Sequence, residues 1–205
     1  MMDKYTDFDE LKENEKEGED YIILYRETGS KFALMAPHGG GIEPGTQDIA
    51  DSIAGGEHTF YAFKGIKKSG NRVLHISSNR YNEPAALRIS GNAFIVVSIH
   101  GCKEKEEMVF IGGRNDELKE KIMYALNESG FRAVISELPG LRGINPQNIC
   151  NRCASGNGVQ LEISRGLREK MFDNLGRRSF RKKTVLFYKF VDIINNIVRG
   201  FNSET

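Results

Sequence analysis

Short apolar runs broken by glycine, proline and charged turns organise this chain, and their lengths suit strands better than long helices. The segments Tyr21 to Arg26, Phe32 to Ala36, Arg72 to Ser77, Ala93 to Ile99, Phe131 to Ser136 and Val159 to Ile163 each predict a strand. Helical spacing fills gaps between them. Gln47 to Ile53 predicts a helix capped by Thr46, and Asn82 followed by Pro84 and an Ala-Leu run predicts another helix start. Asp116 to Ser129 is the clearest internal helix: Asn115 or Asp116 can cap it, Leu118, Ile122, Ala125 and Leu126 share a face, and Gly130 ends it. Thr184 to Arg199 places Phe187, Phe190, Val191, Ile194, Ile197 and Val198 at helical spacing, as a helix laid across the core would. Strands interleaved with helices predict an α/β fold with a mixed, mainly parallel sheet flanked by helices.

Composition adds bounds. At 205 residues, with 39% hydrophobic and 28% charged, the chain can bury one substantial core, so residues 21–205 read as a single domain. Residues 1–20 are acidic and poor in large apolar groups and read as an exposed helix or a mobile lead-in. That opening lacks the basic and apolar regions of a secretory signal, and no apolar stretch reaches the roughly 18 residues of a membrane span. The expectation is a protein made in the cytoplasm with no membrane partner. A net charge of +1 gives no long-range pull toward polyanions, which would have to be held by local cations.

The chemistry gathers where strands end. Phe32 to Ala36 runs into Pro37, His38 and three glycines, with Glu43 and Thr46 beyond. The crevice outside the carboxyl ends of strands is where open α/β sheets collect ligands, and a His with a carboxylate offers good zinc ligands. Taken alone this is equally a glycine turn with a solvated His and Glu. Ala93 to Ile99 repeats the pattern, ending in His100 and Gly101, and supplies a third ligand. Two His and one Glu is a common catalytic zinc set. Val159 to Ile163 then carries Glu162 near its end, placed to act as a general base toward the attacking water.

Four segments together carry a resemblance: APHGGGIEPGT at Ala36 to Thr46, LHISSNRYNEP at Leu74 to Pro84, VVSIHG at Val96 to Gly101, and NICNRCASGNGVQLEISRGLR at Asn148 to Arg168. They resemble the phage-type poly-γ-glutamate hydrolases, small relatives of the zinc carboxypeptidase superfamily, over roughly residues 20 to 170. The resemblance implies a zinc carboxypeptidase-like fold, one zinc ion per chain on His38, Glu43 and His100, a catalytic base at Glu162, and cleavage of γ-glutamyl amide bonds. Carboxypeptidases proper space their first ligands H-x-x-E, whereas this chain has H-x4-E with a glycine run between, so exopeptidase specificity does not carry over. The superfamily often places an Asn-Arg pair before its last His to bind substrate carboxylate, and Asn79-Arg80 stands in that place. Each residue of the polymer bears a carboxylate, which an arginine fork suits, and Arg80 and Arg165 are the arginines singled out among Arg80, Arg88, Arg142, Arg152, Arg165 and Arg168. A phage or prophage product would reach an extracellular polymer after host lysis.

Other features read more plainly. Cys102, Cys150 and Cys153 are an odd count, and the single C-x-x-C pair reads as ordinary reduced thiols. His75, between apolar neighbours, reads as a satisfied, partly buried histidine ahead of a substrate contact, and His58 as structural or exposed. The basic run Arg177, Arg178, Arg181, Lys182 and Lys183 reads as a solvated lead-in to the last helix. Two rival functions stay open: a small-molecule N-acyl amino acid deacylase of the aspartoacylase type, and a non-catalytic nucleic-acid-binding phage protein using that run.

Overall fold

Residue parity along three neighbouring strands divides the sheet into two faces. In the computed structural model, which describes residues 3–204, β2 (Phe32–Gly40), β4 (Ile95–Gly101) and β7 (Val159–Ile163) lie side by side and parallel at the centre. Phe32, Leu34 and Ala36, then Ile95, Val97 and Ile99, then Val159, Leu161 and Ile163 all enter one core. The alternate residues, including Ala33, Met35 and Val96, enter a second core on the opposite face. Both faces are covered, so β2 reads as a continuous apolar run with no polar alternation.

The first core is closed by four helices: α2 (Thr46–Ala54) through Ile49 and Ile53, α4 (Asp116–Glu128) through Leu118, Ile122 and Leu126, α5 (Arg165–Met171) through Leu167 and Met171, and α6 (Val185–Glu204) through Phe187, Phe190, Ile194 and Val198. The second is closed by α1 (Phe8–Asn14) and α3 (Pro84–Asn92), which contribute Phe8, Leu11, Ala86 and Ile89 around Tyr61, Phe63 and Tyr81. The opening segment is therefore docked through α1 and the residues before it, since Tyr5, Phe8 and Leu11 are all buried. Of the acidic residues that suggested an exposed or mobile segment, Asp9, Glu10 and Glu13 occupy the outer side of α1, while Glu15 just beyond it is buried.

The remaining strands are β1 (Tyr21–Arg26), β3 (Thr59–Gly65), β5 (Val109–Gly113) and β6 (Ala133–Ile135), giving a sheet ordered β1-β3-β2-β4-β7-β5-β6. Within that sheet β1 against β3 and β5 against β7 run antiparallel, and the other pairs are parallel. A small ribbon, β8 (Phe172–Asp173) with β9 (Lys182–Lys183), stands apart. From β2 the chain passes outward to β3 on one side and later returns to β4 on the other, so the crevice between β2 and β4 is a switch point of the kind that holds ligands.

Three local expectations are corrected here. Arg72 to Ser77 is not a strand: Asn71–Leu74 forms a 3-10 turn, because β3 is already paired on both edges, by β1 and β2, while Leu74 and Ile76 still bury their side chains. Thr46 is not the cap of α2; Gly45 holds that position, and the Thr46 hydroxyl donates to the Glu43 carbonyl at 2.9 Å instead. β3 and β5 went unpredicted, β3 because burial on both sides removes its alternation.

β2 departs from regularity once. Its register against β3 goes from Ala36 opposite Ala62 to Gly39 opposite Lys64, three residues against two, which is a β-bulge at Pro37 and His38. Just beyond, Gly40 has φ +67°, and a Cβ there would sit 2.3 Å from the Gly65 carbonyl oxygen. Gly40→Ala is therefore expected to cost about 2 kcal/mol or more, through backbone strain and that overlap. Urea unfolding measures it, and an unchanged midpoint would show that this turn tolerates a side chain.

Candidate metal centre and active site

Without the bulge, His38 would continue the parity of Leu34 and Ala36 and point among the helices of the first core. The extra residue turns it over. His38 now lies on the same face as His100 and Glu162, which face each other across the β4 to β7 register. Its Nε2 is 2.8 Å from the Ile76 carbonyl oxygen, an acceptor only, so Nε2 carries the hydrogen and Nδ1 presents a lone pair. That Nδ1 is 3.1 Å from His100 Nδ1 and 3.3 Å from Glu43 Oε1. The second carboxylate oxygen of Glu43 accepts from the Gly101 N–H at 2.8 Å and lies 3.9 Å from His100 Nδ1. With both rings neutral and their hydrogens on Nε2, three lone-pair groups converge here. Tetrahedral zinc with bonds of about 2.0–2.2 Å requires ligand atoms roughly 3.3–3.5 Å apart, so this donor set fits the ion.

The cluster is deeply buried, His38 and His100 at 2% exposure and Glu43 at 7%, and its charges answer one another. Burial alone would raise the Glu43 carboxyl, but His38, His100 and His75 outweigh it and hold the pKa at about 2. Burial pulls His38 down, yet Glu43 raises it above the ordinary imidazole value. Burial together with the His38 charge brings His100 down to about 3. Glu162 is pushed the other way, well above the ordinary carboxyl value, by burial and by Glu43, with Arg168 opposing. The Gln160 amide donates to Glu162 Oε1 at 3.3 Å and in turn accepts from Asn148 at 2.9 Å, which fixes the direction of the carboxyl.

His75 is more engaged than a satisfied core histidine. Its ring stacks on His38 with centroids 4.0 Å apart, and Nε2 reaches within 3.8 Å of Glu43 Oε1. Atoms of His38, Glu43 and His75 all lie within 4.8 Å of one another, a second set able to hold a metal. Nδ1 is 2.7 Å from the Asp3 carboxylate and must donate to it, so Nε2 presents its lone pair to the site. Asp3 also accepts from the Ser77 N–H at 2.8 Å and from Arg80 at 3.2 Å. The order of residues gave no sign of this tie, which spans more than seventy positions.

A cleft of about 400 Å³ opens over the cluster, walled by Ser77 to Asn79 on one side and by the loop from Pro139 to Asn145 on the other. Asn79 lines it. Arg80 does not: it sits outside, half exposed, holding Asp3. Arg165 is a correction, because its guanidinium is 59% exposed and pairs with Glu169 one helical turn on, away from the cleft. The arginine that does line the cleft is Arg142, whose side chain makes no hydrogen bond or ion pair among the described residues. Arg168 serves the frame, donating to the carbonyls of Ile163, Pro44 and Cys102 and so binding the ends of β7, β4 and the glycine loop together. Cys102, Cys150 and Cys153 are free thiols, and burial raises Cys102 and Cys150.

The family profile for poly-gamma-glutamate hydrolase matches residues 5–193. The chain belongs to the poly-gamma-glutamate hydrolase family. Among relatives of this hydrolase family, the UPF0714 protein YndL of Bacillus subtilis strain 168 is 36% identical over 97% of this chain and 79% of its own length. The SPbeta prophage-derived UPF0714 protein YoqZ of the same strain is 36% identical over 96% of this chain and 72% of its own. A structure of a bacteriophage poly-gamma-glutamate hydrolase superposes with TM-score 0.93 at 32% identity, covering 100% of both chains. A zinc-free structure of YndL superposes at 0.91 with 35% identity, over 98% of this chain and 99% of that one. N-formylglutamate amidohydrolase from Ralstonia eutropha, at 0.58 and 11% identity over 90% of this chain and 98% of that one, shares the fold.

The depressed histidines give the metal-free protein a signed pH dependence. His100 and His75 fold with pKa values of about 3 and about 4 against an ordinary 6.5, so the unfolded chain binds more protons between those limits. The contribution of these two rings is therefore full above pH about 6.5 and is lost as the pH drops toward 4, by on the order of a few kcal/mol, offset in part by Glu162, whose raised carboxyl works in the opposite sense. Urea midpoints of the metal-free protein across pH 4 to 8 should show that fall, and His100→Asn should flatten it. A flat profile in the unsubstituted protein would mean these rings are not held neutral.

Proposed function

We propose that this protein is a zinc-dependent hydrolase that cleaves γ-glutamyl amide bonds in poly-γ-glutamate. The reading is carried by the convergence of His38 Nδ1, His100 Nδ1 and the Glu43 carboxylate beside the half-buried Glu162, on the floor of one cleft. His38, Glu43 and His100 would hold one zinc ion, and a structure described as zinc-free in a 35% identical relative supports that metal. Such an ion, when bound, polarises an amide carbonyl and lowers the pKa of water toward about 7.

The chain's own groups do the rest. Glu162 takes the proton of the attacking water and delivers it to the leaving amide nitrogen, and the high proton affinity that burial and Glu43 give it suits a group that must hold a proton between those steps. Gln160 keeps its carboxyl aimed into the cleft. Arg142, uncommitted at the rim, receives a substrate carboxylate, while Asn79 lies on the opposite wall. The polymer name comes from the family and from the phage enzyme that this chain resembles. Likeness to a prophage-derived protein also suits a product that meets an extracellular polymer after host lysis.

Gel filtration of poly-γ-glutamate treated with zinc-loaded protein tests substrate: the polymer should shorten while α-linked peptides stay intact. Unchanged polymer alongside turnover of N-acyl amino acids would overturn the assignment. Glu162→Gln should keep zinc and lose about 10²–10⁴-fold in kcat, and His100→Ala should lose zinc and activity together. Arg142→Ala should raise KM by roughly tenfold, the scale of one lost charged hydrogen bond. Zinc content and rate on the same Glu162→Gln preparation are decisive, since near-normal turnover would remove its proposed role and loss of zinc would make it a ligand.

A further inference from the structure

The basic run before α6 is not spread over the surface. Arg178 donates to the carbonyls of Gly65 and Ile66, and Arg181 donates to the Leu175 carbonyl and to Asp48, its side chain nine-tenths buried. These bonds fold the segment back against the outer side of the glycine loop. Two adjoining hollows result, of about 230 and 370 Å³, and both are lined by Arg178 and Arg181. Their cations are Lys64, Lys67, Lys68, Arg178, Arg181 and Lys183, against one lining carboxylate, Asp48; Lys67 is answered by Glu15 and Asp20 beside the groove and Arg181 by Asp48, which leaves the excess on the other four, in a chain with 29 basic and 28 acidic residues. The charge balance of the whole chain hides this local excess.

Three properties suit a flexible polycarboxylate. Arg181 commits Nε and one Nη1 hydrogen to the fold, which leaves guanidinium N–H groups for an acceptor. The side chains of Lys64 and Lys68 make no hydrogen bond or ion pair among the described residues, which leaves their ammonium groups for an acceptor. The one aromatic residue lining either hollow, Phe172, is itself 1% exposed, and the exposed Phe180 lines neither, so the hollows themselves offer no ring for the base stacking that single-stranded nucleic acids use. Position matters as well: Gly41 and Pro44 line this groove while Glu43, between them, lines the catalytic cleft. The two sites stand back to back across one turn.

We propose that this groove is a second binding site for a polycarboxylate chain, which anchors poly-γ-glutamate by carboxylates remote from the bond being cut. The proposal rests on the poly-γ-glutamate reading of the cleft. It makes the enzyme favour long polymer over short oligomers, because a chain held at the groove raises its local concentration at the cleft next to it.

Lys64→Glu/Lys68→Glu tests it, with Lys64→Gln/Lys68→Gln as the milder pair, since neither lysine carries a bond the fold needs. Two readouts are compared with the unsubstituted protein: anisotropy of end-labelled long poly-γ-glutamate on metal-depleted protein, and the ratio of kcat/KM on long polymer to kcat/KM on a γ-glutamyl trimer with zinc present. The charge-reversed pair should raise Kd at least tenfold at low salt, flatten its salt dependence and lower the ratio by a similar factor, with the glutamine pair intermediate. Unchanged Kd and ratio in both pairs would overturn the groove while leaving the cleft assignment standing. Trimer and polymer both left uncut by the unsubstituted, zinc-loaded protein would instead sink the cleft assignment. Tighter binding of a single-stranded oligonucleotide than of polyglutamate, lost in the same variants, would overturn the polycarboxylate choice.

Discussion

One extra residue in one strand governs the rest of this site. A parallel sheet buried on both faces has only two directions for a side chain, and the parity of β2 assigns His38 to the helix-packed core. The bulge at Pro37 and His38 reverses that assignment within a single step. It costs ladder hydrogen bonds, and the chain meets the cost next to the bulge: Gly41 N–H donates to the Gly65 carbonyl, Glu43 N–H to the His38 carbonyl, and the Thr46 hydroxyl to the Glu43 carbonyl. The glycine run is thus a turn and a ligand carrier at once. It reconnects a displaced strand to its sheet and in doing so delivers Glu43 to the end of β4, where Gly101 receives it.

Electrostatics then make the assembled groups unequal. Four titratable side chains share a buried space, and a fixed internal proton inventory does not satisfy all of them. His38 holds its Nε2 hydrogen on Ile76 and His75 its Nδ1 hydrogen on Asp3, so the nitrogens left facing the Glu43 carboxylate are Nδ1 and Nε2, and of these two rings only His38 has its proton affinity raised. Such a cluster is costly to bury unless something positive enters it. Part of that charge is permanent: the Arg168 guanidinium, itself mostly buried, faces both Glu43 and Glu162 from behind. The rest is what a divalent ion would supply. Glu43 and Glu162 end with opposite proton affinities although they are the same residue type, because one is surrounded by imidazoles and the other is buried beside the charges of Glu43 and Glu104 with Arg168 opposing.

Much of this was legible in the sequence, and the residues show why. Val159 to Ile163 and Tyr21 to Arg26 are strands at the predicted bounds, and Asp116 begins the predicted helix, with Asn115 accepting from Leu118 N–H as its cap. A strand exit followed by glycine is a local signal, so His38 and His100 could be found without knowing the bulge. Parity alone would have excluded His38, and only the chemistry of its neighbours argued for it. What escaped was non-local. β3 has no alternation to read, and Arg165 had the right spacing from Glu162 but begins a helix whose first turn points its side chain to solvent. Arg142 carries no spacing signal at all, since its place at the cleft depends on a loop held by Gln160 through the Leu141 carbonyl.

The opening segment is the clearest case of composition misleading about role. Acidic residues with few large apolar ones suggest a solvated lead-in, and most of these carboxylates are indeed solvated. Yet three apolar residues, Tyr5, Phe8 and Leu11, suffice to dock α1 on the second core, and the docking brings one carboxylate, Asp3, to His75, Ser77 and Arg80 together. The Asn-Arg pair is reinterpreted by the same contact: Asn79 faces the cleft, while Arg80 supports the wall from outside by holding Asp3. The wall of the cleft at residues 75–80 lacks regular secondary structure beyond the preceding 3-10 turn, so its shape depends on such side-chain bonds. A residue near the start of the chain and a bulge at the centre of the sheet therefore do equivalent work, each bringing one histidine ring to Glu43, with Asp3 fixing the nitrogen that His75 presents and the Ile76 carbonyl that of His38.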